Sequence, residues 1–409
     1  MPHPGPLRDC RVLELGTMIA GPFAGRLLAD FGAEVIKVEP PDGDPIRDYG
    51  DQFEGKSLYW ASVSRNKRVC SIDLKRPEGR DLVRRMMAKS DVVIENFRPG
   101  QMEKWGLGYD QIKAEMPRLV MVRVSGFGQT GPYRERPGFG IIGESLSGVR
   151  ELTGHPDRPP ARVATPLTDY LAAVYAAFGT MMALYERDRT GRGQCVDATL
   201  LESAFSMMEG FVPAFEKLGL VPSRVGTRLP GHAPNNTYPT KDGSHIHIAA
   251  GNNAILRRLA AAMGKPELGT DPRFAEAEAR NANFAALDDE IAAWTKSVAK
   301  AEAYRALLEH DVPAAPIYTV ADIFADPHFK ARGMLVPAPD EDYGSVTVAG
   351  VAPKLSATPG EIQWAGRRQG SDTRAILKDV LELSDAEIEG LVSQGIAISA
   401  DAPKSKTGS

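Results

Sequence analysis

The stretch CRVLELGTMIAGPFAGRLLADFGAEVIKVEPP, residues 10–41, decides the fold class of this chain. An apolar run over 12–15 leads into a turn of small residues, a helical pattern over 22–31 and a second apolar run over 35–38. Strand, turn, helix and strand in this order are typical of nucleotide-binding α/β domains, in which an acidic residue such as Glu39 can bind a ribose. The pattern predicts an α/β fold and raises the question of whether the turn binds NAD.

The turn itself lacks the dinucleotide-binding fingerprint. In G-x-G-x-x-G the glycines allow a tight turn and close approach of the backbone to pyrophosphate. Here Gly16 and Gly21 are five residues apart, and Pro22 stands at the expected first helical position. An NAD-dependent oxidoreductase is therefore the weaker interpretation, and the turn is predicted to serve another ligand.

The composition excludes several classes of protein. Lys and Arg number 49 against 53 Asp and Glu, a net charge of −4, which gives no support for nucleic-acid binding. Cys10, Cys70 and Cys195 form no C-x-x-C pair, which argues against a zinc site or a disulfide framework. The sequence opens without a signal-peptide pattern and has no run of 18 apolar residues, so we expect a cytoplasmic protein without nucleic-acid or membrane partners.

The first half of the chain alternates between strand and helix patterns. The predicted strands cover 11–15, 35–38, 69–73, 91–95 and 119–125, and the predicted helices between them cover 22–31, 77–88 and 109–115. This alternation indicates a parallel sheet with helices on its faces. Two apolar helices are predicted at 166–187 and 198–217, buried in a core or in a subunit interface.

The pattern changes near residue 220, where 219–243 is rich in Gly, Pro and Asn and is predicted to be a loop. The elements predicted after it are a strand at 244–250, helices at 253–263, 285–298 and 301–310, one short helix within 312–339, a strand at 345–350 and two helices within 370–395. The polar tail, 399–409, is predicted to be disordered.

Three stretches are unusual in combination: SRNKRVCSIDLKRPEGR at 64–80, SDVVIENFRPGQMEKWGLGYD at 90–110 and TGRGQCVDATLLESA at 190–204. Each has a simple structural explanation when it stands alone. The first could be a solvated basic face, the second an ordinary turn, and the third a helix C-cap followed by a strand. Asp169, at the start of the helix over 166–187, could likewise be an N-cap.

Together these stretches, with VSGFGQTGPYRERPGFG and the long segment TDYLAAVYAAFGTMMALYERDRTGRGQCVDATLLES, resemble class III CoA-transferases, the CaiB/BaiF family. The resemblance implies an α/β fold with a Rossmann-like large domain built on a parallel sheet, a smaller α+β domain, and a homodimer of two interlocked rings. It places the large domain at 1–215 and 326–398, the small domain at 225–325 and the disordered tail at 399–409.

The resemblance also implies which residues bind coenzyme A, a substrate here. The matching positions are Met18, Ile19, Ala20, Leu74, Lys75, Asn96, Phe97, Arg98, Met102 and Lys104. The basic members of this set suit the phosphates of CoA, and the Phe97 ring offers apolar surface to adenine or pantetheine. Ser125 and Pro137 stand where formyl-CoA transferase has lysines, and Arg134 and Arg136 are candidate replacements.

Asp169 aligns with the family's catalytic aspartate. The implied reaction moves CoA from an acyl-CoA donor to a carboxylic acid acceptor through an aspartyl anhydride and an aspartyl-CoA thioester, without a metal. A carboxylate at a helix start is favoured as an anion, as a nucleophile requires. Candidate oxyanion donors are the N–H groups of the turn over 17–20 or of the loop over 226–236.

Two alternative functions remain. An α-methylacyl-CoA racemase pairs the same aspartate with a histidine, but this sequence has Phe139 there, which cannot carry a proton. A non-catalytic CoA-binding protein would have no need of Asp169.

The substrate prediction rests on charge and on one turn residue. Ile19 replaces a glutamine of an oxalate-using relative, which argues against oxalate as the substrate. The cations expected near the site are Arg150, Arg162, Arg224, Arg228 and His232. They favour a short dicarboxylate with succinyl-CoA as donor, while a carnitine-type or aromatic acyl acceptor stays open.

Overall fold

The computed structural model describes residues 5–400, which divide into two compact units. The first unit contains the chain up to Val149, Val163–Ala214 and the part from His328 onward. The second unit contains Arg150–Arg162 and Phe215–Pro327.

The strands and helices are numbered in chain order. The strands are β1 (Arg11–Glu14), β2 (Glu34–Glu39), β3 (Gln52–Phe53), β4 (Lys56–Ser57), β5 (Lys67–Ile72), β6 (Val92–Glu95), β7 (Val120–Ser125), β8 (Cys195–Thr199), β9 (Asn235–Pro239), β10 (His245–Ala249), β11 (Ala314–Pro316), β12 (Leu335–Asp340), β13 (Gly344–Ala349) and β14 (Ala397–Ile398). The helices are α1 (Ala20–Asp30), α2 (Leu58–Val63), α3 (Pro77–Ala88), α4 (Gln101–Lys104), α5 (Tyr109–Ile112), α6 (Gly140–Leu146), α7 (Leu167–Thr190), α8 (Leu200–Phe205), α9 (Phe211–Leu218), α10 (Asn253–Ala262), α11 (Ala277–Ala282), α12 (Phe284–Ser297), α13 (Lys300–Glu309), α14 (Val320–Ala325), α15 (Pro327–Ala331), α16 (Thr373–Leu381) and α17 (Asp385–Ser393).

The first unit is built on a seven-stranded sheet in the order β14-β5-β2-β1-β6-β7-β8. Every pairing is parallel except that of β14, which runs antiparallel to β5 at the edge. Without β14, this is the 3-2-1-4-5-6 order of a doubly wound Rossmann sheet, whose topological switch point lies between its first and fourth strands. The prediction of a parallel α/β sheet is confirmed, and the switch point lies between β1 and β6.

Alternate residues of the central strands serve two separate cores. Leu13 and Ile36 face a core that contains residues of α3 and α16, whereas Val12 and Val35 face a core that contains residues of α1 and α7. Successive side chains of a strand point to opposite faces, so helices cover both sides of the sheet. The strands therefore read as apolar runs in the sequence.

Helix α7 ends where the sequence predicts a C-cap. Gly191 has φ 77°, the left-handed conformation that glycine adopts without strain, and β8 begins four residues later. Within the described residues, α7 is the one helix long and apolar enough to cross a membrane. Its alanine-rich face, including Ala172, Ala173 and Ala176, packs in the core beside the sheet.

Two predicted elements differ from the structure. The helix predicted over 198–217 starts later and is divided into α8 and α9. Residues up to Thr199 belong to β8, and Thr199 then caps α8 by accepting the Glu202 N–H at 2.8 Å. The connection over 312–339 holds β11, α14 and α15, not a single short helix. Pro327 disfavours helical geometry at Asp326, which is extended at ψ 125° and separates the last two.

The second unit has its own core. Strands β9, β10 and β11 form an antiparallel sheet, and Ile246 and Ile248 pack with Leu259 and Ile291 of its helices. Compared with the predicted small domain, this unit also includes residues 150–162.

The predicted disordered tail lies mostly outside the described residues, since these end at 400. Its first two residues belong to the first unit. Ser399 is buried, and the Ala400 N–H donates to the Gly370 carbonyl at 3.3 Å.

Candidate active site

The predicted CoA-binding residues follow three strands of the parallel sheet. Met18–Ala20 follow β1, Leu74 and Lys75 follow β5, and Asn96–Arg98 follow β6. The carboxyl ends of parallel strands meet at one edge of a sheet, and open α/β sheets bind ligands there. The topology therefore brings these residues to the same edge, although they are far apart in the sequence.

The turn after β1 is held by the side chain of Asn96. Its Oδ1 accepts the Thr17 N–H at 2.8 Å, and its Nδ2 donates to the Thr17 carbonyl at 2.8 Å. A Cβ atom added at Gly16 would come within 3.1 Å of Asn96 Oδ1, and one at Gly21 within 3.4 Å of its Cγ. The two glycines thus make room for an amide at the switch point where a dinucleotide fingerprint would admit pyrophosphate.

A buried group of four charges holds the other side of this turn. Lys37 Nζ lies 2.7 Å from Asp44 Oδ2 and 3.4 Å from Glu14 Oε1, and it donates to the Gly16 carbonyl. Lys67 Nζ lies 2.8 Å from Glu14 Oε2, and all four side chains are fully buried. Two positive and two negative charges cancel, as burial requires.

The charges of this group shift one another's pKa values. Burial opposes the charge of Lys37, but Asp44 and Glu14 outweigh it and raise the Lys37 pKa. Burial also opposes ionisation of Asp44, but Lys37 and the N–H groups of Met18 and Ile46 outweigh it and lower that pKa. Burial, reinforced by Lys37, lowers the pKa of Lys67 to about 8.

Met18 adopts a strained backbone conformation in this turn. Its φ is 63°, which is uncommon for a residue with a side chain, and its N–H donates to Asp44 Oδ1 at 3.0 Å. Because the N–H groups of Thr17 and Met18 are both occupied, only those of Ile19 and Ala20 remain candidate oxyanion donors in this turn.

The other predicted CoA residues differ in exposure. Lys75, Arg98 and Lys104 are exposed, as phosphate contacts require. The Phe97 ring is half-buried and packs edge-on against Trp105, with centroids 5.1 Å apart. Met102 has no exposed surface and belongs to the core, so its side chain supports α4 and is not accessible to a ligand. Leu74 is half-buried and packs against the same core.

Asp169 is the third residue of α7 and does not cap it. The N-cap is Pro166, and no side chain caps the helix, so the N-cap interpretation of Asp169 is wrong. The carboxylate is half-buried and lies against Gly140, where an added Cβ atom would overlap Asp169 Oδ2. Thr168 fixes this approach by donating its hydroxyl proton to the Gly140 carbonyl at 2.7 Å.

The residue beside this contact argues against a racemase. Phe139 immediately precedes Gly140, so it stands next to the aspartate as the sequence match implies. Its side chain is 75% exposed and has no proton to transfer.

The cations that the sequence offered for a second carboxylate all belong to the second unit. The Arg224 guanidinium already pairs with Glu151 at 2.5 Å, and Arg228 stacks on the Phe284 ring at 3.6 Å. The Ser125 hydroxyl oxygen accepts the Gly128 N–H at 2.9 Å and shapes a turn.

Sequence reasoning missed the supports of the site. The contact of Gly140 with Asp169 and the role of Asn96 join residues far apart in the chain, and local periodicity carries no information about them. Only Lys37 could have been found from the sequence. It lies within a mostly apolar strand, and a buried lysine needs a partner of opposite charge.

Comparison with known proteins identifies the family of this chain. The model of CoA-transferase family III matches residues 7–373. The chain is 48% identical over 395 residues to the succinyl-CoA–D-citramalate CoA-transferase of Chloroflexus aurantiacus, covering 96% of this chain and 98% of that protein. It is 40% identical over 396 residues to the beta subunit of the succinyl-CoA–L-malate CoA-transferase of the same organism, covering 96% and 98%.

A solved structure shares the fold. The crystal structure of a CAIB/BAIF family protein from Brucella suis superimposes with a TM-score of 0.84 at 36% identity, covering 92% of this chain and 99% of that one. The extent of these matches excludes a chance resemblance of short motifs. The chain belongs to CoA-transferase family III and is an enzyme that transfers CoA between a CoA thioester and a carboxylic acid.

Proposed function

We propose that this enzyme transfers CoA from succinyl-CoA to a short dicarboxylic acid, with Asp169 as the nucleophile. The observation that carries the proposal is the position of Asp169 in the first turn of α7, where its carboxylate lies against Gly140. Tyr170 and Met18 pack against the same apolar cluster, which contains Ile19 and Trp60. The names of the relatives support the substrates, since they act on succinyl-CoA with citramalate or malate.

Each step of the reaction exchanges one acyl bond. Asp169 attacks the thioester carbonyl, so the C–S bond breaks, a mixed anhydride forms and CoA thiolate leaves. The thiolate attacks the aspartyl carbonyl, which releases succinate and leaves an aspartyl-CoA thioester. The acceptor carboxylate displaces the thiolate to form a second anhydride. The thiolate then attacks the acceptor's acyl carbonyl, and Asp169 is regenerated as a carboxylate.

This chain contributes position and electrostatics to these steps. The first turn of α7 favours a carboxylate over the neutral acid, because the helix dipole is positive there. The fixed turn after β1 presents a constant surface to the thioester, and the exposed Lys75, Arg98 and Lys104 offer cations to the phosphates of CoA.

A donor and acceptor screen tests the function. Purified enzyme with succinyl-CoA and individual acids is expected to form new CoA esters, detectable by mass spectrometry, with ping-pong kinetics and undiminished activity in EDTA. Strict metal dependence, or hydrolysis without any acceptor, would contradict the mechanism.

A homodimer of interlocked chains is part of the proposal, together with a cytoplasmic location. Support comes from one stripe of α7 that is apolar yet exposed, including Val174, Phe178, Met182 and Tyr185. An apolar cavity of about 410 Å³ borders this stripe and is also lined by Leu27 and other apolar residues of the first unit. Contiguous exposed apolar surface is typical of protein interfaces.

Sedimentation velocity tests the dimer. The wild type is expected to sediment as a dimer at micromolar concentration, and Phe178→Asp is expected to weaken association, because it places a charge in the apolar stripe. A stable monomer of the wild type would overturn this part of the proposal.

A further inference from the structure

The first unit contains a small cavity beside the start of α7. Its volume is about 220 Å³, and its lining includes Arg26 of α1, Tyr59 and Val63 of α2, and Tyr170 of α7. Sites for drug-sized ligands occupy about 300–1,000 Å³, so this cavity suits a small molecule or one end of a larger one.

The cavity adjoins the reactive end of the site. Tyr170 follows Asp169 in α7, and its ring packs edge-on against Phe23 at 4.6 Å between centroids. Tyr59 and Tyr170, which line the cavity, pack against the same apolar cluster as Met18 of the turn after β1.

Arg26 carries a buried positive charge that has two partners, the Phe23 ring at 4.6 Å from its guanidinium carbon and one carboxylate that it shares. The Arg26 Nε lies 3.3 Å from Asp30 Oδ2, the one carboxylate ion-paired with it among the residues that the structure describes. Asp30 is already engaged by Arg65, at 2.9 Å through Nε and 2.6 Å through Nη2, and by Asn66 at 3.0 Å. One carboxylate therefore faces two guanidinium groups, and the Arg26 side chain is only 10% exposed.

The pKa of Arg26 reflects first its burial and then its charged neighbours. Burial and the nearby Arg65 lower its pKa to about 10, against the opposing effect of Asp30. The carboxylate of Asp51 also lines the cavity, but its side chain is exposed and makes no ion pair with Arg26. An anion bound in the cavity would balance the excess charge.

Three residues with hydroxyl groups, Tyr59, Ser62 and Tyr170, also line the cavity. The Tyr170 hydroxyl donates to the Tyr59 hydroxyl oxygen at 3.2 Å, which leaves the Tyr59 proton available to another acceptor. A guanidinium with free N–H groups and a phenol proton form a donor set suited to a carboxylate, and Val63 adds apolar surface for methylene groups.

We infer that Arg26 and Tyr59 bind the free carboxylate of a dicarboxylic acyl group while its other carboxyl carbon reacts at Asp169. The inference rests on the proposed function and identifies the substrate class: acids with a second carboxylate a few methylene groups from the first. The acyl chain extends from the thioester beside the turn after β1 into the cavity. No arginine of the second unit is needed for this contact.

Binding in a catalytically inactive background tests the subsite without turnover. In Asp169→Ala, succinyl-CoA and butyryl-CoA remain intact, and the two differ by the second carboxylate alone. Adding Arg26→Met is expected to raise the dissociation constant for succinyl-CoA about 30-fold, as for loss of a hydrogen bond to a charged group. The constants for butyryl-CoA and for CoA are expected to change less than threefold, measured by calorimetry.

Two further variants keep the test decisive. Arg187→Met is the matched control, because Arg187 is also 10% exposed and pairs with Asp91 at 2.8 Å near the far end of α7. It is expected to leave all three dissociation constants unchanged. Tyr59→Phe, which keeps the ring, is expected to weaken succinyl-CoA selectively by about fivefold, and it serves if Arg26→Met does not fold.

The outcomes separate the subsite from the proposed function. Equal weakening of succinyl-CoA and butyryl-CoA, or no weakening of either, would overturn the subsite even if the wild type transfers CoA from succinyl-CoA. A wild type that transfers no CoA from succinyl-CoA would instead overturn the proposed function.

Discussion

Asp169→Asn is expected to fold normally and to lose turnover by roughly four orders of magnitude, because an amide is a far poorer nucleophile than a carboxylate of the same size. Steady-state transfer from succinyl-CoA, with circular dichroism as the check on folding, measures the change. Asp169→Ala is expected to be equally inactive and to cost only about 0.3–1 kcal/mol of unfolding free energy, the value of an acidic residue in a first helical turn.

Trapping the intermediate identifies the nucleophile directly. Hydroxylamine converts an activated carboxyl group into a hydroxamate, and peptide mapping after incubation with succinyl-CoA is expected to place the modification on Asp169 alone. A hydroxamate on Glu144 or Asp197, or substantial transfer by folded Asp169→Ala, would show that the assignment is wrong. Glu144 is buried and Asp197 Oδ2 accepts the Gln129 N–H at 2.8 Å, so both already have structural roles.

Gly140→Ala is expected to lower kcat by roughly two to three orders of magnitude while the protein still folds. The new methyl group would overlap the Asp169 carboxylate and crowd the Thr168 hydroxyl, and misplacement of a reacting group by about 1 Å can cost 10²-fold. The crowding is also expected to cost about 1–3 kcal/mol of unfolding free energy, as overpacking commonly does. Both quantities follow from parallel kinetic and thermal unfolding measurements.

Gly390→Ala is the matched control for this substitution. Gly390 lies within α17, and the nearest atom to an added Cβ would be Gln394 Nε2 at 3.9 Å. This variant is expected to keep full activity and to gain about 0.5–1 kcal/mol of stability. Wild-type kcat in Gly140→Ala would mean that the approach of Gly140 to the carboxylate has no part in catalysis.

The sheet of the first unit could be predicted from local pattern. The runs 92–94 and 120–122 are apolar at every position, because helices cover both faces of a parallel sheet. The prediction of one helix over 198–217 was wrong. The end of β8 and the short helices α8 and α9 together produce a hydrophobic pattern that resembles that of a single helix. The start of this segment forms β8 because it pairs with β7, which lies some 70 residues earlier in the chain, and local pattern carries no information about that pairing.

The candidate site could be predicted in part. The resemblance pointed to Asp169 and to the CoA-binding residues, and the topology brings those that follow β1, β5 and β6 to one edge of the sheet. The resemblance could not show which of the CoA-binding residues support the site from within the protein. Asn96 is bonded to Thr17 and Met102 is buried, and both facts depend on tertiary contacts. The sequence could not predict a role for Arg26, because its shared carboxylate depends on the tertiary contact between Arg65 and Asp30.

The bonds that Asn96, Lys37 and Asp44 make to the turn after β1 also determine when its conformational entropy is lost. Fixing the backbone of one residue costs about 1–2 kcal/mol, so ordering Gly16, Thr17 and Met18 costs about 3–6 kcal/mol. Because these bonds are formed by the protein itself, that cost falls on folding and not on association with the acyl-CoA. The heat-capacity change on binding then reflects surface buried by the ligand, without a contribution from ordering of this turn.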